Sequence, residues 1–379
     1  MALYIPPTRE PREPFDVSQL RTVQVLGGGA GSSAHVTSLT AGLVARGVQV
    51  TVCAPAGADR AHDFPALGAR FAPVPRRTDP VAVAALRAAC ADADVVHAHG
   101  LHAAVRTGIA LSGRSTPLVV TWRTRTHAEG ARGGLLRLLE RRAARAAAVV
   151  LGSSSELVDR ARRRGARDAR LAPLSIPASR FPGTEHDGKA RVELGVVERP
   201  LIVSAGSLHA HHGHDTLLDA AREWRALDPV PLLVVVGEGR RTEALRRRIS
   251  EEGLPVVLTG CRDDLARILA VADLAVLPGR GEARPVLAQE ALRLGVPLVA
   301  AGGGGLLELV GDAAELVPYG DAEALAGAVV RLLAAPEQRD RLAWAGRIQA
   351  AGWPTEDDTI AHVLAVYNEL AKPTGSVPA

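Results

Sequence analysis

Short β-branched runs alternate with longer stretches of helical spacing along most of this sequence, and this rhythm limits the fold to the α/β class. In the first half the runs are TVQVL, VQVTVCAP, DVVHAH, PLVVTW and AAVVLGSS, and helices are predicted at about 33–46, 101–111 and 132–147. Strands that alternate with helices in this way build a parallel sheet covered by helices. The first half is therefore predicted to be one doubly wound domain.

The rhythm stops between about 178 and 198, where Pro, Gly and mixed charges replace the apolar periodicity, and then resumes. The second set of runs is PLIVSAGSL, PLLVVVGEG, VVLTG, ADLAVLPG, VPLVAAGG and ELVPYG, with helices predicted at about 322–334, 336–351 and 358–370. Two doubly wound halves leave a cleft between the carboxyl ends of two parallel sheets, and open α/β folds bind ligands at such edges. We expect the functional site in that cleft.

Composition excludes several classes of protein. A chain of 379 residues exceeds the roughly 250–300 residues that one core usually serves, so two domains are expected. Hydrophobic residues at 47% and charged residues at 23% exclude a disordered or collagen-like chain. Aromatic residues at 3% are too few for stacking along a nucleic-acid strand, and the net charge of +4 is spread along the chain. No nucleic-acid partner is predicted.

The cysteines and the N-terminus indicate the compartment. Cys53, Cys90 and Cys261 lie far apart without zinc spacing, which predicts buried thiols in a reducing cytoplasm. Residues 1–20 lack the apolar core of a signal peptide, and no apolar run approaches about 18 residues. A cytoplasmic protein that does not span a membrane is expected. The Arg/Leu-rich stretch 132–147 also suits peripheral contact with anionic lipid, but a core-packed helix with a solvated arginine face is favoured.

Two segments of the first half can carry a function. Residues 27–31, GGGAG, follow a strand and precede a helix, so their amides can approach a phosphate or a sugar, although a tight turn explains them equally well. They do not match the G-x-G-x-x-G register, which disfavours a nicotinamide site. His97 and His99 end a later strand, and we expect only one of the two to face the cleft. His99 is the candidate, whereas His97 is expected to be a packing residue.

The second half contains a histidine-rich segment and a pair of glutamates. Four histidines lie between 209 and 214, but adjacent histidines on one loop do not converge on a metal ion, so a metal site is disfavoured. In residues 272–291 a buried strand runs into a Gly/Pro loop, and Pro285 begins a helix. Glu282 then lies at the mouth of this helix and Glu290 more than one turn inside it. An acid at the mouth is also explained as a favourable cap.

In this order the residues resemble glycosyltransferase family 4, a family of retaining nucleotide-sugar enzymes with the GT-B fold. The resemblance covers about residues 22–350 and rests on the early glycine loop, on DVVHAH, on LGSSSELVDRARRRGA and on the block VVLTGCRDDLARILAVADLAVLPGRGEARPVLAQEALRLGVPLVAAGGGG. Glu282 and Glu290 stand eight apart and match the family's E-x7-E signature. This last block is the specific part of the resemblance.

The resemblance implies a donor site. Glu290 would hold the donor ribose hydroxyls, Glu282 would lie near the donor sugar and diphosphate, and His99 would lie close to the transferred sugar. The segment facing the phosphates would consist of Arg284, Pro285, Val286 and Leu287, and the other domain would line the cleft with Gly28 and Gly29. No cofactor and no divalent metal is expected, because in this family protein cations and amide dipoles stabilise the leaving diphosphate.

The chain departs from the family pattern at the diphosphate. The family has an arginine and a lysine where Ser207 and His212 stand here, and the loss of two charge-assisted hydrogen bonds costs roughly 3–6 kcal/mol. A protonated His212, Arg280 or Arg284 are the candidate replacements. Arg123 stands where the family more often has a histidine.

The sequence as a whole predicts a retaining, metal-independent glycosyltransferase that moves a hexose-type unit from a nucleoside-diphosphate sugar to an unidentified acceptor. The alternative is a degenerate GT-B protein that binds a nucleotide, a glycan or a protein partner without turnover. The predicted division is a flexible leader (1–20), an N-terminal Rossmann-like acceptor-side domain (21–180), a linker (181–198), a C-terminal Rossmann-like nucleotide-sugar domain (199–352), a C-terminal helix that packs back on the first domain (353–372) and a tail (373–379).

Overall fold

The first of two sheets is built from seven parallel strands. In this computed structural model, which describes residues 20–26, 30–58, 62–75, 79–124, 130–172, 187–196, 198–209, 212–280 and 282–371, they are β1 (Arg21–Leu26), β2 (Gln49–Ala54), β3 (Arg70–Pro73), β4 (Val95–His99), β5 (Leu118–Trp122), β6 (Val149–Gly152) and β7 (Ala169–Leu171). Their order is β3-β2-β1-β4-β5-β6-β7. Strands β3 and β7 were absent from the predicted set because each has only three or four residues and is partly exposed.

Helices connect these strands. They are α1 (Ala30–Val44), α2 (Pro80–Ala89), α3 (Leu101–Ala110), α4 (Gly130–Ala146) and α5 (Ser155–Arg163). The three helices predicted here agree with α1, α3 and α4 to within three residues at each end. Helix α5 begins after Ser154, whose hydroxyl accepts from the Leu157 amide, and α2 begins after Asp79, which caps it in the same way.

The second sheet is built from six parallel strands in the order β10-β9-β8-β11-β12-β13. The elements are α6 (Asp187–Glu193), β8 (Leu201–Ala205), α7 (His214–Glu223), a 3-10 turn (Trp224–Ala226), β9 (Leu232–Val236), α8 (Thr242–Glu252), β10 (Val256–Gly260), α9 (Leu265–Ala270), β11 (Leu274–Leu277), α10 (Val286–Leu294), β12 (Leu298–Ala301), α11 (Gly305–Val310), β13 (Glu315–Val317), α12 (Ala322–Ala334), α13 (Pro336–Ala351) and α14 (Glu356–Leu370). All six predicted runs are strands, which confirms two doubly wound α/β units; their exact boundaries stay a prediction.

Both sheets reverse their strand order at one point. The reversal falls between β1 and β4 in the first sheet and between β8 and β11 in the second. At such a point the two following connections run to opposite faces of the sheet, so a crevice opens outside the carboxyl ends of the strands. The loops after β4, β8 and β11 border these crevices, and five of the predicted site residues lie on them: Ser207, His212, Glu282, Arg284 and Pro285.

Apolar residues cover both faces of each sheet. On β4, Val96 and Ala98 belong to one core cluster, whereas Val95 belongs to the cluster on the opposite face. On β8, Val203 and Ile202 divide between two clusters in the same way. Alternate residues of a strand point to opposite faces, so strands that are apolar throughout require helices on both sides.

The last helix returns to the first sheet. Ile360, Val363 and Tyr367 of α14 pack in the same buried cluster as Leu39 and Leu43 of α1. A capping box fixes its start, since the Thr355 hydroxyl accepts from the Asp358 amide and the Asp358 carboxylate accepts from the Thr355 amide. The core of the first sheet is therefore completed from the end of the chain.

The arginine-rich helix α4 packs through its small residues. Ala143 and Ala144 are buried, and the buried Glu140 carboxylate pairs with Arg160 at 2.7 Å and with Arg164 at 2.8 Å. The opposite face is exposed and rich in arginine. Peripheral contact with lipid through this face stays an untested expectation. No helix in the described part of the chain is long and apolar enough to cross a lipid bilayer.

The prediction of three buried thiols was wrong at one position. Cys53 and Cys90 are buried, and burial raises the pKa of both thiols, that of Cys90 to about 12. Cys261 is exposed because it follows β10, an edge strand of the second sheet. Its position after an apolar run gave no sign of this.

The contact between α1 and α14 predicts that Gly42→Ala changes the free energy of unfolding in opposite directions with and without the Ile360 side chain. A methyl group on Gly42 would lie 2.1 Å from Ile360 Cδ1, so Gly42→Ala should destabilise the protein by about 1–3 kcal/mol. In an Ile360→Ala background the clash is absent, and the better helix propensity of alanine should make the same change stabilising by up to about 1 kcal/mol. Urea unfolding of the four proteins measures both steps, and equal effects in the two backgrounds would contradict the packing.

Candidate functional site

Close backbone contacts join three loops at the carboxyl edge of the second sheet. Gly213, at φ +75°, leaves no room for a side chain because a Cβ there would lie 2.0 Å from the Pro278 carbonyl oxygen. A Cβ on Gly237 would lie 1.9 Å from the Gly206 carbonyl oxygen. The loops after β8, β9 and β11 are thus packed through their main chains, which holds the predicted site residues on them in fixed positions.

The loop after β8 carries the residues that replace the family's two cations. Ser207 Oγ lies 2.5 Å from His209 Nδ1. The Ser207 carbonyl oxygen accepts a hydrogen bond from His214 Nε2 at 3.2 Å. The ring of His212 stacks near that of His214, with centroids 6.5 Å apart. His211 lies outside the described residues, and within the described part no group of three or more His, Cys, Asp or Glu side chains is arranged to hold a metal ion.

Helix α10 presents an N-terminus without a side-chain cap to the site. Pro285 precedes it in extended conformation, no side chain in the described part of the protein caps its first turn, and the turn itself contains no acid. Val286 and Leu287 begin the helix, so their amides belong to the group that has no partner within the helix. Pro285 has no N–H of its own and contributes a carbonyl that accepts from the Gln289 amide at 3.1 Å. The helix start therefore favours an anion.

Arg284 and Glu290 are held inside the second domain. Arg284 is 9% exposed, and its guanidinium lies over the Trp353 ring at 5.3 Å. Burial, together with the charges of Arg293 and Arg123, lowers its pKa to about 10, so it remains a cation at neutral pH. Glu290 is 4% exposed and lies 3.6 Å from Arg293. Its carboxylate is thus oriented by a neighbouring cation.

Glu282 lies where the two domains meet. Thr124, just after β5, pairs with Glu282 in a short antiparallel backbone bridge, and the Ala283 amide donates to the Arg123 carbonyl oxygen at 3.4 Å. Burial lowers the pKa of the Arg123 guanidinium, and the charge of Glu282 opposes that shift. Burial lowers the pKa of His99, and the positive charge of Arg123 lowers it further. Arg123 therefore interacts electrostatically with both the candidate glutamate and the candidate histidine.

A cavity of about 410 Å³ opens beside this contact. The first domain lines it with Ser154, Glu156 and Leu157, and the second domain lines it with Arg280, Glu282, Ala283, Gly302, Gly303, Gly304, Gly305 and Tyr319. The Arg280 guanidinium lies 4.2 Å from the centroid of the Tyr319 ring. Among the described residues that were predicted to be catalytic or donor-binding, Glu282 is the one that lines this cavity.

A carboxylate bridges the two walls of the cavity. Glu308 of α11 accepts from the Ser155 amide at 3.0 Å and from the Ser155 hydroxyl at 3.3 Å. The four glycines at 302–305 approach α5 closely. A Cβ on Gly304 would lie only 2.0 Å from Glu156 Oε2. The run of four glycines thus permits the approach of the first domain, a role for which its position after a strand gave no signal.

The expectation that only one of His97 and His99 faces the cleft was wrong. Residues two apart in a strand point to the same side, and the two rings lie 4.2 Å apart on one face of β4. Both are buried beneath α1 and α14, and burial lowers the pKa of both, that of His97 to about 3. His97 is the packing residue that was predicted, with Tyr367 and Thr121 as hydrogen-bond partners.

The structure gathers the predicted residues into two groups. The second domain holds Glu290, Arg284, Pro285, Val286, Leu287, Ser207 and His212, while Glu282 meets the first domain at Thr124 and beside Arg123, whose charge acts on His99. Gly28 and Gly29 lie outside the described residues. Residues that sequence reasoning missed include Glu156, Glu308 and Tyr319. The only signal for them was that each follows a strand at the carboxyl edge.

Two family models match successive parts of the chain. The model for the glycosyl transferase 4-like domain matches residues 30–177, and the model for glycosyl transferases group 1 matches residues 199–335. The first range contains β4 but begins after β1, and the second range contains both β8 and β11. The chain therefore belongs to the GT4-like glycosyltransferases of the GT-B fold.

Similar proteins bind or transfer different sugars. The alpha-D-kanosaminyltransferase of Streptomyces kanamyceticus is 30% identical over 215 residues, which are 54% of this chain and 56% of that protein. A GDP-mannose-dependent monoacylated alpha-(1-6)-phosphatidylinositol monomannoside mannosyltransferase of Corynebacterium glutamicum is 32% identical over 198 residues, 48% of this chain and 52% of that protein. The chain thus spans about half the length of these curated relatives.

Solved structures are similar over the whole fold. Anabaena HepE in complex with UDP has a TM-score of 0.77 at 19% identity, covering 92% of this chain and 100% of that one. Sucrose-phosphate synthase from Thermosynechococcus elongatus has a TM-score of 0.77 at 20% identity, covering 93% and 99%. At such identities the likeness establishes the two-domain fold.

The buried His214 ring predicts a loss of stability in acid. Burial lowers its pKa from 6.5 to about 4, so below pH 6.5 the unfolded chain binds a proton that the folded chain does not. The free energy of unfolding then falls by about 1.4 kcal/mol per pH unit down to about pH 4. His214→Gln, whose amide still reaches the Ser207 carbonyl, should reduce the slope between pH 6 and pH 5 by that amount. Urea unfolding measures the slope, and a slope in His214→Gln equal to that of the unmodified protein would contradict the prediction.

Proposed function

We propose that this protein transfers a hexose unit from a nucleoside-diphosphate sugar to an acceptor hydroxyl, with retention of configuration at the anomeric carbon. The observation that carries the proposal is the position of Glu282. This carboxylate-bearing residue precedes the uncapped N-terminus of α10, lines the cavity and adjoins the first domain. A carboxylate placed there can contact the sugar while the helix start holds its diphosphate.

The donor would lie mainly against the second domain. The first-turn amides at Val286 and Leu287 would donate to the diphosphate, and Glu290 would accept from the ribose hydroxyls. Support comes from the burial of Glu290 beside Arg293, since a carboxylate held in place loses little freedom when it binds. The acceptor would approach from the first domain, where His99 and Arg123 lie.

Two arginines are the proposed substitutes for the cations lost at Ser207 and His212. Arg284 stays charged although it is buried, and it directly precedes the helix start that would face the diphosphate. Arg280 lines the cavity and is oriented by the Tyr319 ring. Both would neutralise the leaving diphosphate without a metal ion, which is how we propose the reaction proceeds. His214 is not a substitute, because burial keeps its ring neutral at physiological pH.

The nucleotide base is the first unknown to resolve. Anabaena HepE was solved with UDP and with UDP-glucose, whereas the corynebacterial relative is named for GDP-mannose. Calorimetric titration with UDP, GDP, ADP and their common sugar conjugates, in the presence of EDTA, should show binding of one base. Glu290→Gln should weaken that binding about 10- to 100-fold, because it replaces charge-assisted hydrogen bonds with neutral ones.

A matched control separates the site from general charge effects. Glu323 is an exposed acid in the first turn of α12, and Glu323→Gln should leave nucleotide affinity unchanged. If folded protein bound none of the nucleotides, the donor site would be refuted. Ser207 and His212 would then favour the alternative, a GT-B protein that captures a glycan or a protein partner without turnover.

Turnover should depend on Glu282. With the donor chosen by calorimetry, release of the nucleoside diphosphate in the presence of a panel of hydroxyl acceptors reports transfer or slow hydrolysis. Glu282→Gln should lower this rate about 10²- to 10³-fold and leave affinity for the nucleoside diphosphate within a few fold, because the residue would act at the sugar. An unchanged rate in this variant would refute the assignment, and nucleotide binding without any turnover by the unmodified protein would favour the binding alternative.

A further inference from the structure

A chain of buried hydrogen bonds connects the last helix to His99. Tyr367 of α14 places its hydroxyl oxygen 2.6 Å from His97 Nδ1 and 2.9 Å from Gln24 Nε2. Gln24 Oε1 lies 2.9 Å from His99 Nε2, and His97 Nε2 lies 2.6 Å from Thr121 Oγ1. All five side chains are buried, so water does not compete for these bonds.

The strand register brings these residues together. Gln24 on β1 pairs with His97 on β4, and His99 pairs with Thr121 on β5. Leu26, two residues after Gln24, belongs to the cluster beneath α1 and α14, so Gln24 also faces that side. The polar chain therefore occupies the face of the first sheet on which α14 packs.

The direction of each hydrogen bond follows from the groups that hold the protons. The Gln24 amide nitrogen can only donate, and it has the hydroxyls of Tyr367 at 2.9 Å and Thr22 at 3.4 Å as acceptors. The Tyr367 proton is then donated over the shorter contact, 2.6 Å to His97 Nδ1, rather than over 3.4 Å to Gln24 Oε1. A neutral His97 carries its one proton on Nε2 and donates it to Thr121.

The same logic defines the protonation of His99. Gln24 Oε1 can only accept, so His99 Nε2 must carry the proton of the neutral ring. The other nitrogen, Nδ1, is then a lone-pair acceptor, and it is buried without a hydrogen-bond partner among the described residues. Buried polar atoms usually have a hydrogen-bond partner, and a hydroxyl of a bound molecule can complete this one.

We infer that Gln24 and Tyr367 are positioning residues for His99, fixing it in the Nε2–H tautomer so that Nδ1 can accept a hydrogen bond from a substrate hydroxyl. The role of His99 toward substrate rests on the proposed function, but the tautomer does not. Tyr367 anchors the Gln24 amide, and without this anchor the amide can rotate and offer its NH₂ group to His99 instead. The Tyr367 hydroxyl thus determines which ring nitrogen of His99 carries the proton, although it acts only through Gln24.

Nitrogen-15 NMR of histidine-labelled protein tests this inference directly, because it reports which ring nitrogen is protonated. The His99 signals are assigned by their loss in His99→Gln. The unmodified protein should show the Nε2–H form. Gln24→Leu removes the acceptor and should shift the ratio of the two tautomers about fivefold to tenfold toward Nδ1–H, whereas Gln24→Glu retains an acceptor and should preserve the ratio. Tyr367→Phe should shift it in the same direction as Gln24→Leu, by about twofold to fivefold.

Val363→Ala provides the matched control on the same helix. Val363 is fully buried in the contact between α14 and the sheet, so this variant loosens the helix without touching the hydrogen-bond chain. It should leave the tautomer ratio unchanged, even where thermal unfolding shows it to be as destabilised as Tyr367→Phe. An equal shift in the two variants, or no shift in Gln24→Leu, would overturn the inference.

Failure of the proposed function would give a result that differs from failure of the positioning inference. Nucleotide titration of the same variants measures affinity at the proposed donor site, which lies in the other domain. Tyr367→Phe should bind the nucleotide with the same affinity as the unmodified protein. If turnover is found, kcat should fall in the order of the tautomer shifts while KM for the donor stays within about twofold. Shifted tautomers in a protein that binds no nucleotide would support the positioning chain and refute the glycosyltransferase proposal.

Discussion

Every strand in each sheet of this protein runs parallel to its neighbours, and the remaining features of the cleft follow from that arrangement. Parallel strands end on the same edge, so all loops that lead from a strand into a helix gather there. Reversal of the strand order then opens a crevice at β1 and β4 in one sheet and at β8 and β11 in the other. The glutamates, the histidines and the uncapped start of α10 are neighbours because of topology rather than sequence proximity.

Much of this arrangement was predictable from local sequence. Uniformly apolar runs such as those of β8 and β9 identify buried strands, and Pro285 identifies the start of the helix that carries Glu290. The departures at Ser207, His212 and Arg123 were visible as well, since each replaces a charged or titratable group in a recognisable motif. We propose that Arg280 and Arg284 compensate for the two cations, and no local pattern describes the surroundings of either arginine.

The parts that could not be predicted depend on long-range contacts. Glu308 reaches Ser155 across the cleft, and nothing in either segment indicates that partner. His97 and His99 were expected to diverge, although strand geometry places them on one face, and the helix that covers them comes from more than 250 residues away. Cys261 follows an apolar run like a buried residue, but edge position leaves it in solvent. In each case the local sequence does not show which distant segment lies next to the residue in the folded protein.

The return of α14 to the first sheet also has a consequence for how the protein is made and divided. The core beneath α1 is assembled from two segments that are far apart in the sequence, with the second sheet formed by the residues between them. During synthesis the strands of the first sheet leave the ribosome before Tyr367, so His97 gains the tyrosine hydroxyl only after the strands of the second sheet have been translated. No single cut in the coding sequence releases this domain intact, whereas the second domain is an uninterrupted insertion that can be exchanged as one cassette.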